Sequence, residues 1–170
     1  RFRRVFGSLG VELGDRDVEL TAAAYRDGYK LARRALAGAA ELLEAVRRHA
    51  RVAIVTNNLL EEQQDKLQYC ALAPFVDVLI ASEDVGVSKP DPAIFQIALE
   101  RAGVRAEDAV MVGDSWANDV AGAARAGIRA VWFNPDRKPV PQDPAGVAVI
   151  ESLTPVEDVV RLLLGGERPR

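Results

Sequence analysis

From Gly38 onward the chain alternates short apolar runs with amphipathic helical segments, and this alternation limits the folds open to it. The pattern predicts helix Ala39–His49 leading into strand Val52–Val55, and helix Leu59–Tyr69 leading into strand Val76–Ile80. It then predicts helix Pro92–Ala102 before strand Ala109–Val112, and helix Asn118–Ala126 before strand Ala130–Phe133. A short strand near Val147–Ile150 and a helix at Pro155–Leu164 close the series. Strands with no polar face must be covered on both sides, so the predicted fold is α/β: a parallel sheet between two layers of helices. Residues 1–36 break this rhythm and predict helix alone. Phe2, Val5, Phe6 and Leu9 recur at helical spacing and stop at Gly10, and a longer helix capped by Asp15 or Asp17 follows.

In sheets of this kind ligands bind beyond the carboxyl ends of the strands, and polar residues gather there. Thr56 and Asn57 follow the first apolar run, and a hydroxyl with exposed N–H groups ahead of a helix suits an anionic oxygen. The alternative is that Thr56 or Asn58 caps the helix. Lys89, one of four lysines against eighteen arginines, lies in the loop VGVSKPDP, where Asp91 can cap the helix that opens at Pro92. A compact ammonium suits a phosphate, although a solvated loop lysine reads the same way. Asp114 and Asp119 stand five residues apart across a strand-to-helix turn. At a separation of about 4 Å two such charges repel by about 4 kcal/mol at an effective dielectric near 20, so a cation belongs with them. All-oxygen donors favour Mg²⁺ over zinc. The competing reading is a helix cap plus a first-turn acid. Trp116 either walls this pocket or packs its loop.

Composition narrows the class further. A net charge of −3 argues against a nucleic-acid partner. The absence of an apolar run near the ~20 residues of a bilayer span argues against a membrane one. The single Cys70 permits no internal disulfide, which fits a cytoplasmic location.

Taken together, VTNN at Val55–Asn58, VGVSKPDPAIF at Val85–Phe95 and MVGDSWANDVAGAARAG at Met111–Gly127 resemble the haloacid dehalogenase superfamily. The likeness is to its phosphatase branch with an early helical cap, the group of YjjG-like nucleotidases, N-acylneuraminate-9-phosphatase and other small-metabolite phosphatases. Thr56, Lys89 and the Asp114–Asp119 pair match the family's second, third and fourth motifs, 33 and 25 residues apart from Thr56 to Lys89 to Asp114. The resemblance implies a Rossmann-like core over residues 37–170 and the remainder of a helical cap over residues 1–36.

The same resemblance implies roles. Thr56, the Asn57 N–H and Lys89 would hold a phosphoryl group. Asp114 would bind Mg²⁺, with Asp119 as a second ligand or an orienter of bound water. The substrate would be a small phosphorylated metabolite, with sugar phosphate and nucleoside monophosphate equally open. Tyr25, Arg26 and Tyr29 are the cap residues that could reach it. The family's first motif, Asp-x-Asp on the first strand, has no counterpart; Asp15 and Asp17 follow no strand. The expectation is therefore that the nucleophile lies upstream of Arg1, on a strand running between those ending at Thr56 and Asp114. A catalytically incomplete binding protein and a metal-free 2-haloacid dehalogenase are the alternatives.

Overall fold

The computed structural model describes residues 2–31, 33–141 and 146–165. The chain divides into two compact units, residues 1–34 and 35–170. The first holds helices α1 (Phe2–Ser8) and α2 (Asp15–Leu31). Backbone bonds from Leu9, Gly10 and Val11 back to Phe6 and Gly7 close α1 at the predicted glycine, and Arg3 pairs with Asp15 at the start of α2. Val5, Leu9 and Leu20 are exposed.

The second unit runs α3 (Ala39–Arg47), β1 (Ala53–Thr56), α4 (Leu60–Tyr69), β2 (Val78–Ala81), a single turn α5 (Ser82–Val85) and α6 (Pro92–Ala102). It continues with β3 (Val110–Gly113), a π turn (Trp116–Val120), α7 (Ala121–Arg125), β4 (Arg129–Phe133), β5 (Ala148–Ile150) and α8 (Val156–Leu164). Each predicted strand is present within two residues of its expected bounds. The predicted helix Asn118–Ala126 is instead a π turn followed by the short α7. Asp91 caps α6, its carboxylate accepting from the Ala93 N–H at 2.9 Å, with Pro92 in the first turn as expected.

Among the described residues all strand pairs are parallel, but the strands form two separate pieces. β1 pairs with β2 in register Ala53–Val78 to Thr56–Ala81. β3, β4 and β5 form the other piece, with Met111 opposite Ala130 and Trp132 opposite Val149. β1 and β3 do not pair with each other.

Alternation along β4 assigns its two faces. Ala130 and Trp132 join Ile80, Ile94, Phe95, Val120 and Ala123 in a cluster built on α6 and α7. Val131 joins Leu42, Val159 and Leu163 beneath α3 and α8. The first cluster contains residues of both sheet pieces, so α6 and α7 hold the halves together where no strand ladder does. Gly122 permits this contact, because a Cβ there would lie 2.8 Å from the Phe95 ring and 3.2 Å from Pro90.

Burial is inverted relative to an ordinary parallel sheet, whose central strands are the most enclosed. β2 and β4 contain fully buried residues, Ile80 and Val131 among them, whereas no residue of β1 or β3 is fully buried. At the amino ends, Val52 and Asp77 clamp β1 to β2. The Val52 N–H donates to Asp77 Oδ2 at 2.8 Å, and the Asp77 N–H donates to the Val52 carbonyl at 2.9 Å. Both backbone groups of Val52 thus turn toward β2, and strand alternation turns those of Ala53 and Val55 toward the break.

Candidate active site

Thr56 ends β1, and its Oγ1 accepts from the Asn58 N–H at 3.2 Å. With a lone pair so occupied, the hydroxyl keeps its proton to donate. Neither Thr56 nor Asn58 caps α4: the first-turn N–H of Leu60 donates instead to Glu83 Oε2 at 3.1 Å.

Asn57, next along, grips Lys89 by its backbone. Asn57 Nδ2 donates to the Lys89 carbonyl at 2.8 Å, and the Lys89 N–H donates to Asn57 Oδ1 at 2.7 Å. The Asn57 N–H has no protein acceptor among the described residues. One residue further, the Pro90 carbonyl accepts from Arg125 at 2.8 Å. The loop before α6 is therefore fixed from both pieces of the sheet.

The Lys89 side chain, 12% exposed, extends to Asp119, with Nζ 2.7 Å from Oδ1. Asp119 is 3% exposed, and its Oδ2 accepts from the Ser115 N–H at 2.9 Å. A buried carboxylate needs such partners. Gly113 makes room for it, since a Cβ at that position would lie 2.3 Å from the Asp119 Cβ. Sequence reading grouped Asp119 with Asp114 around a metal. In the fold the cation beside Asp119 is Lys89, and a backbone N–H occupies the other oxygen.

Asp114 follows β3, is exposed, and has no ion-pair partner among the described residues. Its backbone carbonyl accepts from the buried indole Nε1 of Trp132 at 3.2 Å. Trp116 meets Trp132 edge to face, the ring centroids 5.2 Å apart and the planes at 77°, so Trp116 packs the loop that carries Asp114. The Asp114 carboxylate is a hard oxygen donor in water. That fits Mg²⁺, which takes one or two carboxylates and fills its shell with water and substrate phosphate. Among the described residues no group of three or more His, Cys, Asp or Glu side chains could hold a metal.

Lys89 touches both Asn57, at the end of β1, and Asp119, above the end of β3. The structure thus brings together the stretches around Thr56, Lys89 and Asp114 through direct bonds. The side chains of Arg26 and Tyr29 lie outside the described residues. Sequence reasoning missed Arg125, Trp132 and Glu83, whose contacts span 35, 18 and 23 residues and leave no local signal. Among the described residues no helix is long and apolar enough to cross a membrane.

The profile of the haloacid dehalogenase-like hydrolases matches residues 3–127. The chain is 37% identical over 126 residues to pyrimidine 5′-nucleotidase YjjG of Escherichia coli, covering 74% of this chain and 56% of that protein. It is 45% identical over 103 residues to phosphoserine phosphatase of Thermus thermophilus, covering 61% of this chain and 41% of that one. Among solved structures, the HAD-hydrolase YfnB of Bacillus subtilis bound to magnesium superposes with a TM-score of 0.79 at 28% identity, over 94% of this chain and 69% of that one. A 2-haloacid dehalogenase from Pseudomonas syringae superposes with a TM-score of 0.64 at 35% identity, over 72% of this chain and 51% of that one. The chain spans about half the length of the curated relatives it matches. With the family profile running across most of its length, the chain belongs to the haloacid dehalogenase-like hydrolases.

Proposed function

We propose that this chain is part of a Mg²⁺-dependent phosphatase of small phosphorylated metabolites, acting through an aspartyl-phosphate intermediate. The observation that carries this reading is the Lys89–Asp119 bond. It fixes a largely desolvated ammonium on a loop that the Asn57 side chain ties to the end of β1, where the Thr56 hydroxyl and the Asn57 N–H are donors available to a phosphoryl oxygen. Phosphoryl transfer asks mostly for such positioned positive charge and donors. The phosphatases among its relatives support the same class.

In this reading Asp114 holds the Mg²⁺ and Asp119 positions Lys89. The metal, when bound, neutralises charge on the transferring phosphoryl group. The nucleophile is an Asp carboxylate upstream of Arg1, carried by a strand that fills the place between β1 and β3. It attacks phosphorus and expels the alcohol, and water then releases phosphate and restores the carboxylate. The half-buried β1 and β3 support a strand in that place.

The 2-haloacid dehalogenase among the similar structures keeps a second reading in view. Assay of the complete protein separates the two. Phosphate release from a panel of phosphomonoesters, dependent on Mg²⁺ and lost in Lys89→Ala, is the expected result. Halide release from 2-haloacids without metal would replace the phosphatase reading with the second one. Neither product from a folded protein would leave a binding protein.

A further inference from the structure

We propose that Asn57 is a positioning residue, its carboxamide setting where the Lys89 ammonium stands rather than touching substrate. The carboxamide makes a two-point contact with a single residue, donating to the Lys89 carbonyl at 2.8 Å and accepting from the Lys89 N–H at 2.7 Å. This is the contact a neighbouring β-strand would make, supplied by a side chain. It requires a donor and an acceptor side by side on a short stem. Asp lacks the donor, Ala lacks both, and Gln is one methylene too long for the spacing.

The contact matters because of what else holds Lys89. Its tip is fixed by Asp119 at 2.7 Å, and the following carbonyl, that of Pro90, by Arg125 at 2.8 Å. Asp119 and Arg125 belong to the half of the fold that contains β3, whereas Asn57 follows β1. Asn57 is thus the tie that keeps the lysine with the β1 end of the site. Without it, the hydrogen bonds left on Lys89 and Pro90 all come from the other half, and the distance from Lys89 to Thr56 is held only indirectly, through β2 and the packing of α6. The importance of Lys89 for rate rests on the phosphatase reading; the control of Lys89 by Asn57 does not.

The test needs no activity. The folded chain is acylated with limiting N-hydroxysuccinimidyl acetate, and the labelling rate of each lysine is read by mass spectrometry. Lys66 and Lys138 serve as internal controls. In Asn57→Ala, which removes both hydrogen bonds, the Lys89 rate rises by roughly fivefold or more, while both controls stay unchanged. An unchanged Lys89 rate in the folded variant overturns the proposal. If all lysines accelerate together, the variant has lost its fold and Asn57→Asp decides. That variant keeps the acceptor for the Lys89 N–H and sets an anionic oxygen against the Lys89 carbonyl in place of the donor; an unaltered Lys89 rate there is equally fatal. On the complete protein, Asn57→Ala is expected to lower kcat with KM little changed. A rise in KM alone would make Asn57 a substrate ligand and end the proposal. Labelling as expected while the complete protein releases no phosphate from phosphomonoesters would instead defeat the phosphatase reading and leave the role of Asn57 standing.

Discussion

Lys89 Nζ lies 2.7 Å from Asp119 Oδ1, and this contact joins the half of the fold built on β1 and β2 to the half built on β3, β4 and β5. Both side chains are nearly enclosed. Removing one partner strands the other charge in a site with little water. Such breakage costs about 3–5 kcal/mol, whereas replacing both partners with apolar groups can be close to neutral. Lys89→Met and Asp119→Leu are each expected to destabilise by about 3 kcal/mol, and the double variant by less than the sum. Urea unfolding of the four proteins measures the coupling; strictly additive losses would show that the pair is not interacting.

Gly113→Ala places a methyl 2.3 Å from the Asp119 Cβ. Asp119 must then move, and Lys89 and the Ser115 N–H both lose their acceptor. Overpacking with loss of the ion pair should cost about 3 kcal/mol and abolish most activity. Thermal melting would report it, and a Gly113→Ala protein with wild-type stability would contradict the placement of Asp119.

Mg²⁺ affinity should depend on Asp114 far more than on Asp119. Calorimetric titration of the complete protein is expected to show at least a tenfold loss on the order of 1.4 kcal/mol or more in Asp114→Asn. A smaller change is expected in Asp119→Asn, whose carboxylate is engaged by Lys89 and Ser115. Equal losses would return Asp119 to the metal, and no loss in Asp114→Asn would remove Asp114 from it.

Asp77 governs an acid-labile contribution. The Val52 N–H bond chiefly, with the Arg47 charge adding to it, holds its carboxyl below the usual 3.8 despite opposing desolvation. A depressed folded value means the stabilisation is complete above the unfolded pKa and is lost as pH falls through the folded one. Asp77→Asn should therefore be less stable than the parent at pH 7, with the difference shrinking below about pH 4. Urea unfolding from pH 7 down to pH 3 checks this, and a gap that widens on acidification would refute it.

The backbone of β1 should exchange unevenly in the 170-residue chain. The Ile54 N–H faces β2, whereas those of Ala53 and Val55 face the break. Amide exchange followed by NMR is expected to be at least about tenfold faster at Val55 than at Ile54, because an unpaired strand edge offers little protection. Comparable protection would mean that another segment already pairs there. In the complete protein, Val55 is expected to become as protected as Ile54.

Local chemistry made much of this legible in advance. Apolar runs such as Val52–Val55 read as strands because nothing polar interrupts them, and Asp91-Pro92 marks the start of α6 because each residue suits only the first turn. Thr56, Lys89 and Asp114 could be picked out because each follows an apolar run, and the resemblance supplied their order. The boundary near α7 differs because Trp116–Val120 form a π turn in which Asp119 lies against Gly113, a close approach that no helical periodicity carries.

The sequence by itself determined the layers, the positions of the strands and the end of the sheet that carries the chemistry. These follow from hydrophobic period and turn residues, which act over a few positions. The tertiary structure decided who partners whom. Asp119 takes Lys89 from 30 residues away, Asn57 takes the Lys89 backbone from 32, and Trp132 holds the Asp114 carbonyl from 18. A buried charge or an unsatisfied amide must find a partner, but which one it finds depends on how the halves of the fold close on α6 and α7. That closure is a property of packing between distant segments, which no local pattern contains.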